Sequence, residues 1–81
     1  MKKKRMVPTT RRRRLKKLIK RFGCRCLRCG LRFTFQELTV DHVKPLSKGG
    51  TNALENLQPL CFDCNTSKGS EETDYRGSRR P

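Results

Sequence analysis

Along the 81-residue chain, apolar positions fall into three differently spaced groups. In RRRRLKKLIKRF, Leu15, Leu18, Ile19 and Phe22 recur at i, i+3, i+4 and i+7, so one narrow apolar stripe faces an otherwise basic surface. That period predicts a helix over 11–23, closed by Gly23. LRFTF and ELTVDHV carry the β-branched and aromatic content of two strands, and PLSKGGTNALEN between Pro, Gly and Asn reads as a long loop. LQPLCFDCNTSKG then runs into a short helix closed by Gly69. The expected order is helix, knuckle, two short strands, loop and helix. Residues 1–10 read as a basic arm without regular structure, 24–69 as the folded domain and 70–81 as a polar tail.

Composition makes this domain hard to stabilise by burial alone. Hydrophobic residues form 32% of the chain and tryptophan is absent, a thin apolar supply for so short a chain. Five cysteines supply an alternative. An odd count argues against a complete disulfide framework, and no continuous apolar run follows the basic N-terminus as a secretory leader would require. The expected setting is a reducing cytoplasm, where clustered cysteines bind metal more often than each other.

Cys26-x-x-Cys29 and Cys61-x-x-Cys64, 31 residues apart, supply four sulfurs for one tetrahedral Zn²⁺. Gly30 after the first pair suits a knuckle turn. Cys24 extends that motif to CxCxxC and leaves a choice of ligands; Cys26 and Cys29 are assigned because Gly30 follows them, with Cys24 expected to pack beside the site as a small apolar side chain and the alternative that it substitutes as a ligand. A closed four-sulfur zinc has no vacancy for the single histidine, His42, which is therefore available for other chemistry.

Charge adds a second theme. The net formal charge is +14, yet residues 1–21 hold twelve of the 21 Lys and Arg and no acid, whereas the rest sets nine bases against all seven acids. This asymmetry is the footprint of a polyanion binder. The expected nucleic-acid contacts are Arg11, Arg12, Arg13, Arg14, Lys16, Lys17 and Lys20. A basic amphipathic helix also suits an anionic membrane surface, but nothing in the chain has the length of a membrane span.

DHVKPLSKGG, ENLQPLC and CFDCNTSKG, taken with both cysteine pairs, resemble the HNH endonuclease family in its zinc-bound, four-cysteine form. The similarity runs from about Cys26 to Gly69. It implies a small α+β, ββα-metal domain, treble-clef-like, with a structural zinc, preceded here by the basic helix. His42 matches the first motif histidine, Asn56 the central asparagine and Asn65 the last position, where many members carry histidine. The resemblance places Asp41 and Asn65 on a catalytic cation, and two oxygen donors favour Mg²⁺ or Mn²⁺ over a second zinc. It further implies a DNA substrate, His42 as general base and Asn56 bracing the loop. Lys68, three residues beyond Asn65 on the same helical face, is placed either to neutralise a phosphate or to stand solvated near the helix C-terminus. A phage or bacterial source, with DNA-packaging or recombination machinery as partner, fits the family. The chemistry is coherent: phosphodiester hydrolysis needs water deprotonated, and imidazole accepts protons near neutral pH. Two other readings compete, a non-catalytic zinc-stabilised nucleic-acid binder and a structural subunit of a DNA-processing complex.

Overall fold

The computed structural model describes residues 8–76. Helix α1 spans Pro8–Phe22, beginning three residues before the arginine run, with proline in its first turn, where a missing N–H costs nothing. Leu15 and Leu18 are buried, Ile19 and Phe22 lie partly buried against the same core, and Arg11, Arg12, Arg13, Lys16, Lys17 and Lys20 are exposed. The apolar stripe therefore docks as its spacing predicts. Lys20 and Arg21 in the last turn complement the helix dipole. Gly23, at φ 86°, donates its N–H to Ile19 O at 2.7 Å, the left-handed cap that reverses the chain into the cysteine knuckle.

Among the described residues the sheet is an antiparallel pair, β1 (Leu38–His42) with β2 (Leu57–Cys61), in register from Leu38↔Cys61 to His42↔Leu57. Helix α2, Phe62–Lys68, follows β2 directly, completing a ββα unit. A lone two-stranded sheet is marginal in water, and here α1 and α2 both pack onto it. The central cluster joins Leu15, Leu27, Leu38 and Leu60 to Cys26, Cys61 and Cys64, so the cysteines lie inside the apolar core.

The second strand lies elsewhere than expected. LRFTF forms no strand: Arg32 makes one isolated bridge to Arg25, and Phe35–Glu37 is a 3₁₀ turn. Thr34 N–H donates to Glu37 Oε1 at 2.9 Å, and Glu37 N–H donates to Thr34 O at 3.0 Å. Thr34-Phe-Gln-Glu37 is thus a helix-start pattern embedded in strand-like composition. The strand instead comes from LQPLC, buried at every position. Pro59 opposite Val40 lacks an N–H, but its carbonyl accepts Leu27 N–H at 3.1 Å and ties the first knuckle to β2.

The loop between the strands is held from both ends. Val43 N–H donates to Asn56 O at 2.8 Å, and the Asn56 side chain accepts Lys44 N–H at 2.9 Å while donating to Lys44 O at 3.0 Å and Thr51 O at 2.8 Å. One asparagine therefore satisfies three backbone groups across the loop mouth. The loop turns at Gly49 and Gly50, and a Cβ built on Gly50 would lie 1.8 Å from Lys44 O. Because that obstacle is backbone, Gly50→Ala should displace the loop and destabilise the fold by about 1–3 kcal/mol, measured by chemical denaturation. An unchanged midpoint would show that the close approach is not maintained.

The expected polar tail is docked over its first part. Gln58, fully buried on β2, donates from Nε2 to Asp41 Oδ2 (2.8 Å) and Thr73 O (2.9 Å), and its Oε1 accepts Tyr75 N–H (2.8 Å). The backbone N–H fixes which end of the amide is oxygen, so Nε2 necessarily faces Asp41. Arg76 grips Asp74 through two 2.9 Å bonds and also donates to Glu55 O. Residues 73–76 thus form a strap across β2 and the end of the loop. The expectations for residues 1–7 and 77–81 lie outside the described residues.

Candidate active site

The four expected zinc ligands converge. The sulfurs of Cys26, Cys29, Cys61 and Cys64 all lie within 4.8 Å of one another, compared with about 3.8 Å between sulfurs 2.3 Å from one tetrahedral ion. Cys24 is half-buried against the core and outside this group, as its assignment as a packing residue requires. Burial opposes ionisation of Cys26, but backbone N–H groups of Cys29, Cys61 and Arg28 outweigh it and bring the thiol down to about 7. Cys64 is pushed up to about 12 by burial and by the facing sulfurs of Cys61 and Cys26. The donor set suits zinc.

A second site forms where the end of β1 meets α2. An open cleft of about 220 Å³ is lined by Val40, Asp41, His42, Pro45, Leu46, Asn65, Gly69 and Ser70. The adjacent Asp41 and His42 therefore line one cleft with Asn65, 23 positions beyond His42 in the chain. β1 supplies the first two and the opening turn of α2 the third, because Asn65 directly follows the second knuckle. His42 Nε2 lies 2.7 Å from Asn52 Oδ1. Asn65 Nδ2 donates to Thr39 Oγ1 at 2.7 Å, and Thr39 in turn donates to Leu60 O at 2.7 Å. With its nitrogen held by this relay, Asn65 keeps Oδ1 as an acceptor with no partner among the described residues.

Asp41 and His42 point to different surroundings, as adjacent strand residues do. Asp41 is 5% exposed and receives Gln58 Nε2 together with Lys68 Nζ, 3.1 Å from Oδ2. Lys68 is 3% exposed and also donates to His42 O at 3.0 Å. This corrects the expectation that Lys68 meets a phosphate: its ammonium is turned inward, where the unpaired carboxylate would be costly to bury. Arg14 also departs from the exposed row, being half-buried on the flank of α1. Asn56 lies in the loop brace rather than the cleft.

The sequence of this region matches a known family. The sequence profile described as "HNH endonuclease" matches residues 26–71, more than half of the chain. The chain belongs to the HNH endonuclease family. Over 53 residues this HNH chain is 42% identical to the CRISPR-associated endonuclease Cas9 of Corynebacterium diphtheriae, which covers 64% of the chain but 5% of that protein. Its structure is similar to that of the Type II-C Cas9 enzyme from Actinomyces naeslundii, with a TM-score of 0.65 and 30% identity, covering 73% of the chain and 6% of that enzyme. The HNH chain thus spans a small fraction of both relatives. Among the described residues, no helix is long and apolar enough to cross a membrane.

Thr39, Asn52 and Gln58 were not singled out by sequence reasoning. Gln58 had a signal, a lone amide inside an apolar run, since such a group needs buried partners. Thr39 and Asn52 had none: each is an ordinary polar residue until the fold brings its partner near.

Proposed function

We propose that this chain is a metal-dependent DNA endonuclease domain, with a structural zinc on Cys26, Cys29, Cys61 and Cys64. The observation that carries this reading is the convergence of Asp41, His42 and Asn65 on one cleft in a chain of the HNH family. Asp41 and Asn65 would hold a hard divalent cation through oxygen, leaving its other positions to water and phosphate. That cation would neutralise charge on the scissile phosphate and leaving oxygen. His42 accepts the proton of the attacking water, from a position fixed by the end of β1. Lys68 holds the Asp41 carboxylate in place and partly offsets its charge. The open shape of the cleft suits a backbone phosphate presented from outside.

The exposed bases of α1 bind the DNA backbone. Changing Arg11, Arg12 and Arg13 together to Gln preserves helix propensity while removing three charges. Binding should weaken, and the slope of log affinity against log salt should become shallower by up to about 3. An unchanged slope would remove these residues from the interface.

The test of the reading is cleavage of supercoiled and linear DNA by zinc-loaded protein with Mg²⁺ or Mn²⁺. Absence of metal-dependent cleavage by folded protein would favour a second reading, a zinc-stabilised nucleic-acid-binding module. The Lys68 ammonium beside Asp41 favours that alternative, because it competes with a cation for the same carboxylate.

A further inference from the structure

We propose that Asn52 sets the tautomer of His42, accepting the Nε2 proton and so making Nδ1 the nitrogen that takes the proton from water. The inference rests on the reading of His42 as the general base and adds a positioning residue to it. A neutral imidazole has one N–H and one lone pair, and an amide oxygen facing one ring nitrogen selects the arrangement that puts the proton on that nitrogen. Asn52 presents Oδ1 to Nε2 at 2.7 Å, within hydrogen-bond reach, and an oxygen so placed is served by the tautomer with its proton on Nε2. Nδ1 then carries the lone pair and has no partner among the described residues.

The loop is arranged so that this contact is available. Asn56 holds Thr51 O, the Thr51 hydroxyl accepts Ala53 N–H at 3.3 Å, and Asn52 lies between these two fixed neighbours. Asn56, rather than Asn52, supplies the loop's closure through its bonds to Lys44 and Thr51. The Asn52 side chain can therefore be changed while the brace stays in place. Among the described residues, its one side-chain bond goes to the imidazole ring.

The experiment exploits the chain's single histidine: a long-range ¹H–¹⁵N spectrum of the 81-residue, zinc-loaded protein contains one imidazole, recorded where the ring is neutral. Wild type should give the pattern of protonated Nε2 and unprotonated Nδ1. Asn52→Ala should lose this strong preference, and Asn52→Asp, which keeps an oxygen acceptor, should retain it. In parallel, kcat for Mg²⁺-dependent cleavage should fall roughly 10–10²-fold in Asn52→Ala with KM little changed, and recover most of that loss in Asn52→Asp. Zinc content and circular dichroism report folding of each variant, and Asn52→Leu replaces Asn52→Ala if the smaller side chain fails to fold. A wild-type ring protonated on Nδ1, or a tautomer indifferent to Asn52→Ala, would overturn the proposal. Absence of cleavage by wild type would overturn the general-base reading alone, because the spectrum still decides the tautomer.

Discussion

His42→Ala should lower DNA cleavage by roughly 10²–10⁴-fold, the usual contribution of a positioned general base, with zinc content, fold and DNA affinity near wild type. The structure makes this a clean substitution. The ring lies outside the four-sulfur cluster, it is half-buried at the end of β1, and the hydrogen bond from Lys68 reaches the backbone carbonyl, which alanine retains. Among the described residues, the side-chain hydrogen bond lost is the one with Asn52. Single-turnover cleavage at saturating DNA, with zinc analysis and a binding isotherm, provides the check. Wild-type cleavage would show that His42 is not the base, and release of zinc would show that the cysteine assignment is wrong. Asp41→Ala is a poorer probe of the cation, because it leaves Lys68 buried without its carboxylate, a loss of about 3–5 kcal/mol. Asp41→Asn preserves the shape while removing the charge.

Removing zinc should unfold the domain. The apolar cluster is built around Cys26, Cys61 and Cys64, so its leucines pack against ligands whose positions the metal would fix. In small domains of this kind, apparent zinc-binding energies of about 10–16 kcal/mol are folding energies. Cys64→Ser, or a strong chelator, should therefore abolish the cooperative thermal transition. The pH dependence has a definite sign. Zinc-bound cysteines are thiolates, whereas those of the unfolded chain are largely protonated at neutral pH; folding releases protons, and stability falls on acidification. Loss of structure in parallel with zinc release during acid titration would meet this expectation. Folded, metal-free protein, or a disulfide in place of the metal, would contradict it.

The parts of the fold that were legible in the chain were those fixed by local spacing. The stripe Leu15–Leu18–Ile19–Phe22 produced α1, and the paired cysteines produced the metal cluster because two-residue spacers constrain sulfur positions directly. β2 was hidden for a physical reason. Its five residues are all buried, so no polar alternation marks it, and Pro59 argues against a strand until the neighbouring knuckle is seen to use its carbonyl. LRFTF showed the converse failure: strand-like composition yielded to the Thr34–Glu37 turn. At the candidate site, Asp41, His42 and Asn65 were singled out through the motif resemblance, and the structure brings them to one cleft. Their supporting partners could not be found from spacing, since Thr39 meets Asn65 across 26 positions and Gln58 meets Asp41 across 17. Lys68 was misplaced because a surface charge and a buried counter-ion look alike in a linear pattern.

The strap changes what would count as a transplantable unit. The family match ends at residue 71, yet Gln58 takes two of its three partners from Thr73 and Tyr75. A graft cut at the family boundary would carry into its new host a buried amide with two bonds broken, directly beside Asp41. A graft extended through Arg76 would keep that amide satisfied and bring the Glu55 anchor with it. Portability of the cleft is thus decided by a few residues beyond the motif.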